Sequence, residues 1–279
     1  MRLAYFILAY KNIPQVVQLL KAIYHSNHVY LIHIDKKSKA SLEILTDYAR
    51  NLQNVILMPR QNSWWGGISF VKLHLKAMHY LYAHYHWDYL INLSGQDLPL
   101  LSQIEIMDAL SRFNAANYIE ARPIKELWPD YRHRFDHYYL ELPFFNYVKK
   151  VPVLNRRVKL PAYTTRLYAG SGYFILDREC CRYIFTLENL QEYLDFYRYT
   201  FIPEESVFQT ILMNSKWRHT IIQDNKREIN WKEGPEYPRI FRLEDLDKLT
   251  ASTAFFARKF DSRIDSRIIN RLIKRVDRS

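Results

Sequence analysis

The sequence predicts an α/β fold built on a doubly wound, mostly parallel sheet with helices on both faces. Short β-type runs alternate with segments whose apolar residues recur three or four positions apart. With 279 residues, 48% of them hydrophobic, the chain can bury a large core. No internal repeat or low-complexity linker is evident in the sequence, so we expect a single domain over residues 1–261.

The first half of the chain carries the alternation most clearly. Its strand-like runs are Leu3–Ala9, Val29–Ile34, Val55–Met58 and Tyr89–Leu93. The helical patterns between them are Pro14–His25, Ser41–Leu52 and Ser69–Tyr85. Because ligands of parallel sheets bind at the carboxyl ends of strands, residues just after each strand are the first site candidates.

The second half is less regular. Residues 122–168 are rich in Arg, His, Pro and aromatic residues without a clean period, which predicts an insertion or lid beside the sheet. A strand Tyr173–Leu176 and helices Arg178–Phe185 and Glu204–Met213 are expected after it. Residues 262–279 form a basic amphipathic helical pattern.

The net charge of +11 predicts an anionic partner: nucleic acid, a membrane surface or a phosphorylated substrate. The helix at 262–279 concentrates this charge. It is expected either to lie on an anionic membrane or to pack on its own domain with its charges in water. The aromatic-basic insertion keeps a non-enzymatic nucleic-acid-binding protein open as an alternative, although no nucleic-acid-binding motif is present.

Several common chemistries lack their sequence signatures. There is no GxGxxG, P-loop, HExxH or G-x-S-x-G motif and no paired Cys/His ligand set. The adjacent Cys180 and Cys181 indicate a reducing compartment. The apolar run Leu3–Ala9 is too short to span a bilayer and lacks a signal-peptide pattern, so a cytoplasmic, soluble or peripheral protein is expected.

Polar residues follow three of the predicted strands. Asp35 lies in His33-Ile34-Asp35-Lys36-Lys37-Ser38, where it either contacts a ligand or caps a turn. The run Trp64-Trp65-Gly66-Gly67 either lets the backbone approach a ligand or forms a tight turn. Asp97 ends Ser94-Gly95-Gln96-Asp97, with a capped turn as the alternative.

Charged residues dominate the later motifs. Glu204 and Glu205 follow Pro203 at a predicted helix start, where acids also complement the helix dipole. Arg227 and the Arg258-Lys259 pair suit a bound phosphate or cation–π packing. The triplet Asp245-Leu246-Asp247 has a metal-binding spacing, but its place at a helix start favours first-turn acids.

In this order, the segments resemble the branching β-1,6-N-acetylglucosaminyltransferases and peptide O-xylosyltransferases, which form one glycosyltransferase family, the core-2/I-branching enzymes. The resemblance runs from Ala4 to Asp261. Its marks are Ala4–Asn12, HIDKKS, WGG-S, NLSGQD-P, GSGYFIL, PEES-F and FFARKFD. It implies a GT-A-type fold, an inverting reaction, a UDP-sugar donor and no metal or other cofactor, with residues 122–168 on the acceptor side.

The resemblance also implies residue roles. Glu205 matches the catalytic base, and Asp35 matches the acid that contacts the nucleotide. Trp65, Gly66 and Gly67 match the donor-pocket loop, and Asp97 belongs to the donor-side motif. Lys259 matches the lysine that neutralises the diphosphate, beside Arg258. The second diphosphate cation is expected to be Arg227, with Arg239 or Arg242 as alternatives.

The physical chemistry agrees with these roles. An inverting transferase needs one base, whereas a glycoside hydrolase needs two carboxyl groups. Fixed cations can stabilise the leaving diphosphate without a metal. The sugar, GlcNAc or xylose, stays open. Because the Cys-rich loops of animal members are absent from the sequence, we expect a bacterial enzyme that glycosylates a glycan or lipid-linked acceptor, with no nucleic-acid partner.

Overall fold

The computed structural model describes residues 1–112, 116–156, 159–232 and 237–277. The helices are α1 (Ile13–Ile23), α2 (Glu43–Ala49), α3 (Ile68–His84), α4 (Gln103–Ser111), α5 (Ile124–Leu127), α6 (Arg132–Phe135), α7 (Arg178–Phe185), α8 (Leu190–Tyr197), α9 (Val207–Met213), α10 (Leu246–Thr250) and α11 (Ser266–Val276). The strands are β1 (Leu3–Ala9), β2 (Val29–Ile34), β3 (Val55–Leu57), β4 (Tyr89–Ser94), β5 (Asp97–Pro99), β6 (Asn117–Ile119), β7 (Arg122–Pro123), β8 (His137–Leu140), β9 (Lys149–Asn155), β10 (Tyr168–Ala169), β11 (Phe174–Asp177), β12 (Ile221–Ile222), β13 (Arg227–Ile229) and β14 (Phe256–Arg258).

The largest sheet has the strand order β12-β6-β11-β4-β1-β2-β3. Strand β2 runs parallel to β1 with Phe6 opposite Leu31, and parallel to β3 with Leu31 opposite Ile56. Strand β6 pairs in parallel with β12 and antiparallel with β11. The prediction of an α/β fold with a mostly parallel sheet is confirmed. The predicted strands before residue 95 match β1 to β4 to within one residue at either end.

The chain divides into two compact units. The first unit comprises residues 1–60, 91–114 and 226–279, and the second comprises residues 61–90 and 115–225. In the first unit every residue of β2 is buried, as expected for a strand covered on both faces. The Tyr5 and Tyr30 rings stack there with centroids 5.3 Å apart.

Helix α11 ends the described part of the first unit and packs against β5. Its apolar residues Ile268, Ile269, Leu272 and Val276 are buried, whereas its basic residues face solvent. This burial favours the interpretation in which the helix packs on its own domain. Arg278 and Ser279 of the predicted basic helix lie outside the described residues. Within the described ranges, no helix combines the length and the apolar character needed to cross a membrane.

The irregular pattern at 122–168 corresponds to short elements of the second unit. They include α5, α6 and the antiparallel hairpin of β8 and β9. Helices α5 and α6 have four residues each and strand β7 has two, so these elements are too short to leave a readable period in the sequence. Residues 157 and 158 of this segment are outside the described ranges.

Candidate functional site

Gln15 joins the loops that follow three strands of the first unit. This fully buried residue of α1 donates from Nε2 to the carbonyls of Gly95 and Phe260, both at 3.1 Å. Its Oε1 accepts from the side chain of Asn12 at 2.9 Å and from the Ser262 N–H at 2.7 Å. A buried amide with satisfied hydrogen bonds fixes its partners in place. Three motifs far apart in the sequence therefore meet beside β1.

Lysine and arginine side chains collect at this junction. The cation cluster comprises Lys11, which follows β1, Arg258, which ends β14, and Lys259, which follows β14. Burial lowers the pKa of Lys259, and the positive charges of Arg258 and Lys11 lower it further, while Asp261 opposes this effect. The Nζ of Lys11 lies 3.4 Å from Asp261 Oδ2. An additional anion beside Lys259 would relieve this repulsion.

Asp97 holds Arg258 in the cluster. Its carboxylate is fully buried in β5 and accepts from the Ser94 N–H and hydroxyl, both at 2.8 Å. The Nε of Arg258 lies 3.2 Å from Asp97 Oδ1, across the β5–β14 pairing that sets these residues opposite each other. Asp97 is shielded from solvent, so it is placed to orient Arg258 and not to contact a ligand directly.

The three arginines considered for the second diphosphate cation have different surroundings. Arg227, in β13, is buried, donates to the Asn92 carbonyl at 2.9 Å and lies 4.7 Å from the Phe256 ring centroid. Arg239 pairs with Asp245 at 2.6 Å and also with Glu244. Arg242 is exposed. Lys11, which sequence reasoning did not select, is the cation whose charge acts on Lys259 together with Arg258.

Asp35 lies just after β2, at the same end of the sheet as the end of β1. Its N–H donates to the Ala9 carbonyl at 2.9 Å, and its carboxylate accepts from the Lys37 N–H at 2.7 Å. Arg60 donates to the carbonyls of Asp35 and Ser38 and so fixes this loop. Asp35 therefore caps a turn and is largely buried, at the strand ends where ligands bind in such sheets.

Asp245 of the D-x-D triplet is engaged by protein groups. Besides Arg239, it accepts from the Arg242 N–H at 2.8 Å as a first-turn acid. Within the described ranges, no group of three or more His, Cys, Asp or Glu residues is placed to hold a metal ion.

In the second unit, Trp65, Gly66 and Gly67 form a turn before α3. Gly66 has φ +78°, and a Cβ atom there would lie 2.9 Å from the Phe201 ring. A Cβ atom on Gly67 would clash with the Glu141 carboxylate, which accepts from the Ser69 N–H at 2.7 Å. Gly66 is required by its positive φ, whereas a side chain at Gly67 would require the Glu141 side chain to move away from the Ser69 N–H. Trp65 is partly exposed, and its ring meets the Phe201 ring edge-on at 5.6 Å.

Glu205 forms an ion pair with Arg134 at 3.0 Å. The Arg134 guanidinium lies 3.6 Å from the Trp128 ring centroid, so the aromatic ring holds the cation in place. The Arg134 side chain is 15% exposed and the Glu205 side chain is 27% exposed. The ion pair is therefore partly desolvated and still accessible to a ligand. Arg134 comes from α6 of the irregular segment and was not among the predicted site residues.

The predicted helix start at Glu204 is wrong. Pro203–Glu205 forms a 3₁₀ turn, and α9 begins at Val207. The hydroxyl of Ser206 donates to the Tyr168 carbonyl at 2.7 Å and contacts the Tyr197 hydroxyl, so tertiary contacts hold Ser206 between the two helical segments. The two acids therefore do not simply complement the dipole of α9.

Glu204 differs sharply from its neighbour. Its Oε2 is shielded from solvent and finds no hydrogen-bond partner among the described residues. Burial, followed by the charge of Glu205, raises the pKa of Glu204 to about 8; Glu141 adds to this increase and Arg134 opposes it. This environment favours the protonated form of Glu204 at neutral pH.

The fold and these groups define a class of protein: an α/β protein with Lys and Arg side chains clustered at strand ends of the first unit and an accessible Glu205–Arg134 ion pair in the second unit. Residues 3–252 match the model of the Core-2/I-Branching enzyme family, so the chain belongs to that family. It is 30% identical to xylosyltransferase 1 of Canis lupus familiaris, over 89% of this chain and 28% of the relative. It is 29% identical to xylosyltransferase 2 of Rattus norvegicus, over 94% of this chain and 32% of the relative.

The chain thus spans about a third of the length of these curated relatives. Among solved structures, S. aureus TarS 1-349 aligns over 71% of this chain and 55% of TarS, with a TM-score of 0.36 and 14% identity. Its complex with UDP aligns over the same shares of both chains at 11% identity, with a TM-score of 0.36.

Proposed function

We propose that the protein is an inverting, metal-independent glycosyltransferase that moves a sugar from a UDP-sugar to an acceptor hydroxyl. The observation that carries this proposal is the cation cluster, in which burial and then the positive charges of Arg258 and Lys11 lower the pKa of Lys259. Such crowding is unfavourable until an anion binds, and a diphosphate is an anion of the required charge.

The cluster would serve both binding and chemistry. As the bond between the sugar and the diphosphate breaks, negative charge grows on the diphosphate oxygens. Lys259 and Arg258, fixed by β14 and Asp97, are preorganised to stabilise that charge. We propose that Arg258 and Lys11 supply the second cationic contact to the diphosphate. A contact between Arg227 and the diphosphate, expected from the family resemblance, stays a prediction.

Glu205 is the proposed base. It would take the proton of the acceptor hydroxyl while that oxygen attacks the anomeric carbon from the face opposite UDP. Glu205 is accessible and paired with Arg134, whereas Glu204 holds its own proton at neutral pH behind a solvent-shielded oxygen. A protonated carboxyl cannot accept the acceptor's proton, so the geometry favours Glu205.

Asp35 is proposed to contact the nucleotide, and the Trp65-Gly66-Gly67 turn is proposed to line the donor sugar. The relatives named xylosyltransferase make UDP-xylose the first donor to test. UDP-GlcNAc is the second, because it is the other donor expected from the family resemblance.

A panel of UDP-sugars tests the proposal. At 100 times its Kd a ligand stabilises the folded protein by about 2.7 kcal/mol, a readily measured rise in melting temperature. We expect UDP and at least one UDP-sugar to produce this rise, uridine to produce none, and that UDP-sugar to be turned over slowly to UDP. Equal effects of UDP and uridine, or no turnover of any UDP-sugar, would contradict the function.

We also propose a cytoplasmic protein that associates with anionic membrane. The support is the exposed basic face of α11, which includes Arg271, Lys274 and Arg275. Because the apolar face of α11 is buried, attraction would be electrostatic, at about 1 kcal/mol per cation near the surface. Flotation with vesicles of neutral or anionic lipid checks this: equal binding to both, or binding to neither, would exclude it.

A further inference from the structure

An exposed aromatic surface lies in the hairpin connection of the second unit. The aromatic platform comprises Phe144, Phe145 and Tyr147, between β8 and β9, together with Lys149 at the start of β9. Phe144 is 94% exposed, Tyr147 is 49% exposed and Phe145 is 38% exposed. Several large aromatic side chains grouped in water within four residues are unusual unless a ligand covers them.

The platform has an ordered geometry. The Lys149 Nζ lies 4.2 Å from the Phe145 ring centroid and 4.3 Å from that of Tyr147. It also donates to the Tyr147 hydroxyl at 3.0 Å. Cation–π contacts of this kind restrain the rings as well as the lysine. The surface therefore presents two restrained rings, Phe145 and Tyr147, and the exposed ring of Phe144 beside one positive hydrogen-bond donor.

The platform is continuous with the proposed base inside the same unit. The Trp65 N–H donates to the Asn146 carbonyl at 2.9 Å, and the Val148 N–H donates to the Trp65 carbonyl at 3.1 Å. These bonds set Trp65 beside Tyr147.

From Trp65 the contacts continue inward. Its ring meets that of Phe201, and the Phe201 centroid lies 5.9 Å from the guanidinium of Arg134, the partner of Glu205. A continuous series of side-chain contacts thus runs from the platform to Glu205, the proposed base.

We propose that the aromatic platform binds sugar rings of a saccharide acceptor and guides its hydroxyl toward Glu205. The inference rests on the proposed function and adds the chemical class of the acceptor. A pyranose ring has an apolar C–H face that packs on an aromatic ring and a hydroxyl edge that accepts a hydrogen bond from an ammonium group. The platform offers both kinds of contact side by side.

Other acceptor classes fit less well. A peptide in an extended conformation is held by main-chain hydrogen bonds and side-chain pockets, whereas the platform presents ring faces. A lipid surface requires an amphipathic face with broad apolar area, and here the exposed apolar groups are three adjacent aromatic residues.

The test uses calorimetry with defined oligosaccharides, in the absence of donor. The probes are chitotetraose, xylotetraose and a galacturonate tetramer, each against the parental protein, Phe144→Ala, Tyr147→Ala and Tyr147→Phe. Tyr163→Ala is the matched control, because Tyr163 is 90% exposed in the same segment but outside the platform.

We expect at least one probe to bind the parental protein, and each alanine variant to weaken that binding by about 3- to 10-fold. Tyr147→Phe keeps the ring and should retain most of the affinity, and Tyr163→Ala should match the parental protein. With the same saccharide as acceptor, Tyr147→Ala should raise KM more than it lowers kcat.

Three results would overturn the inference: no probe binds, the alanine variants bind a probe as well as the parental protein does, or Tyr163→Ala weakens binding equally. Binding of a serine-containing peptide or of anionic vesicles that is lost in Tyr147→Ala, without saccharide binding, would assign the platform elsewhere. Failure of the proposed function is separable, because it would appear as absent UDP-sugar turnover by the parental protein.

Discussion

Like charges lie close together in two regions of the molecule, with opposite sign. The cation cluster of the first unit groups positive charges, and the Glu204–Glu205 pair of the second unit groups two carboxylates. In the cluster, Lys259 is disfavoured as a cation by burial and by Arg258 and Lys11. In the carboxylate pair, Arg134 compensates Glu205, and Glu204 avoids its own negative charge by holding a proton. The cation cluster therefore keeps an excess of positive charge. In the carboxylate pair, the ion pair with Arg134 and the proton on Glu204 remove the excess of negative charge.

The difference shows which region requires a charged ligand. A proton neutralises a carboxylate at neutral pH, but a lysine or arginine beside other cations is more effectively stabilised by an anion than by losing its proton. We therefore expect the cation cluster, and not the carboxylate pair, to be the region that a bound anion stabilises. The charges of the carboxylate pair are balanced without a charged ligand. Its two acids differ in whether they can accept a proton.

The largest effect is expected for Glu205→Gln. Glutamine keeps the size and one oxygen but cannot accept a proton, so transfer should fall by at least about 100-fold. UDP affinity should stay at the parental value, because the cation cluster is untouched. Turnover at saturating donor and acceptor, with calorimetry for UDP, measures the two quantities.

Glu204→Gln is the control for that experiment. If Glu204 holds a proton during the reaction, its amide should leave neutral-pH turnover within a few-fold of the parental rate. A large loss for Glu204→Gln, with near-parental turnover for Glu205→Gln, would reverse the roles of the two acids.

The next effect concerns Lys259→Ala, which should weaken UDP binding by about 10-fold or more because a phosphate loses a partly desolvated partner. The parental affinity should also decrease as pH rises through the lowered pKa of Lys259, since the neutral amine no longer attracts the diphosphate. Calorimetry across pH measures both effects.

Lys248→Ala provides the comparison, because Lys248 is exposed and pairs with Glu228 at 2.8 Å, apart from the cluster residues. Unchanged UDP affinity in folded Lys259→Ala would remove the cation cluster from the donor site.

A smaller effect is expected on stability. The folded-state pKa of Glu204, about 8, is above the ordinary glutamate value, so its stabilising contribution is complete at low pH and is lost as pH rises through 8. Glu204→Gln has no proton to lose. Relative to that of the parental protein, its free energy of unfolding should therefore be larger at pH 9 than at pH 5, by at least about 1 kcal/mol, which means that the variant gains relative stability as pH rises.

Urea unfolding at the two pH values measures this difference. Glu179→Gln, at an exposed ion pair with Arg182, should show no such trend. Parallel pH profiles for Glu204→Gln and the parental protein would show that Glu204 is ionised in the folded state.

The smallest effect is expected for chelation. Excess EDTA should change turnover by less than about two-fold, because the diphosphate charge is assigned to lysine and arginine and Asp245 is bound to Arg239. Turnover that is lost in EDTA and restored by Mn²⁺ or Mg²⁺ would show that a metal acts in place of the cation cluster.

The sequence by itself determined the strands and helices of the first 95 residues and most of the motif residues. Strand β1 was predicted at its observed bounds and α3 to within one residue at each end, because a buried strand or an amphipathic helix leaves its period in the local sequence. The ordered motifs also selected Asp35, Glu205 and Lys259. A local motif retains its residue types and spacing wherever the chain places it.

Only the tertiary structure decided the electrostatics of these residues. Arg134 is 71 residues from Glu205, and Lys11 is 250 residues from Asp261, so no local pattern pairs them. The sequence also placed Glu204 and Glu205 side by side without distinguishing them. Their difference arises because one carboxylate meets Arg134 and the other is shielded from solvent, and such environments depend on packing between distant segments.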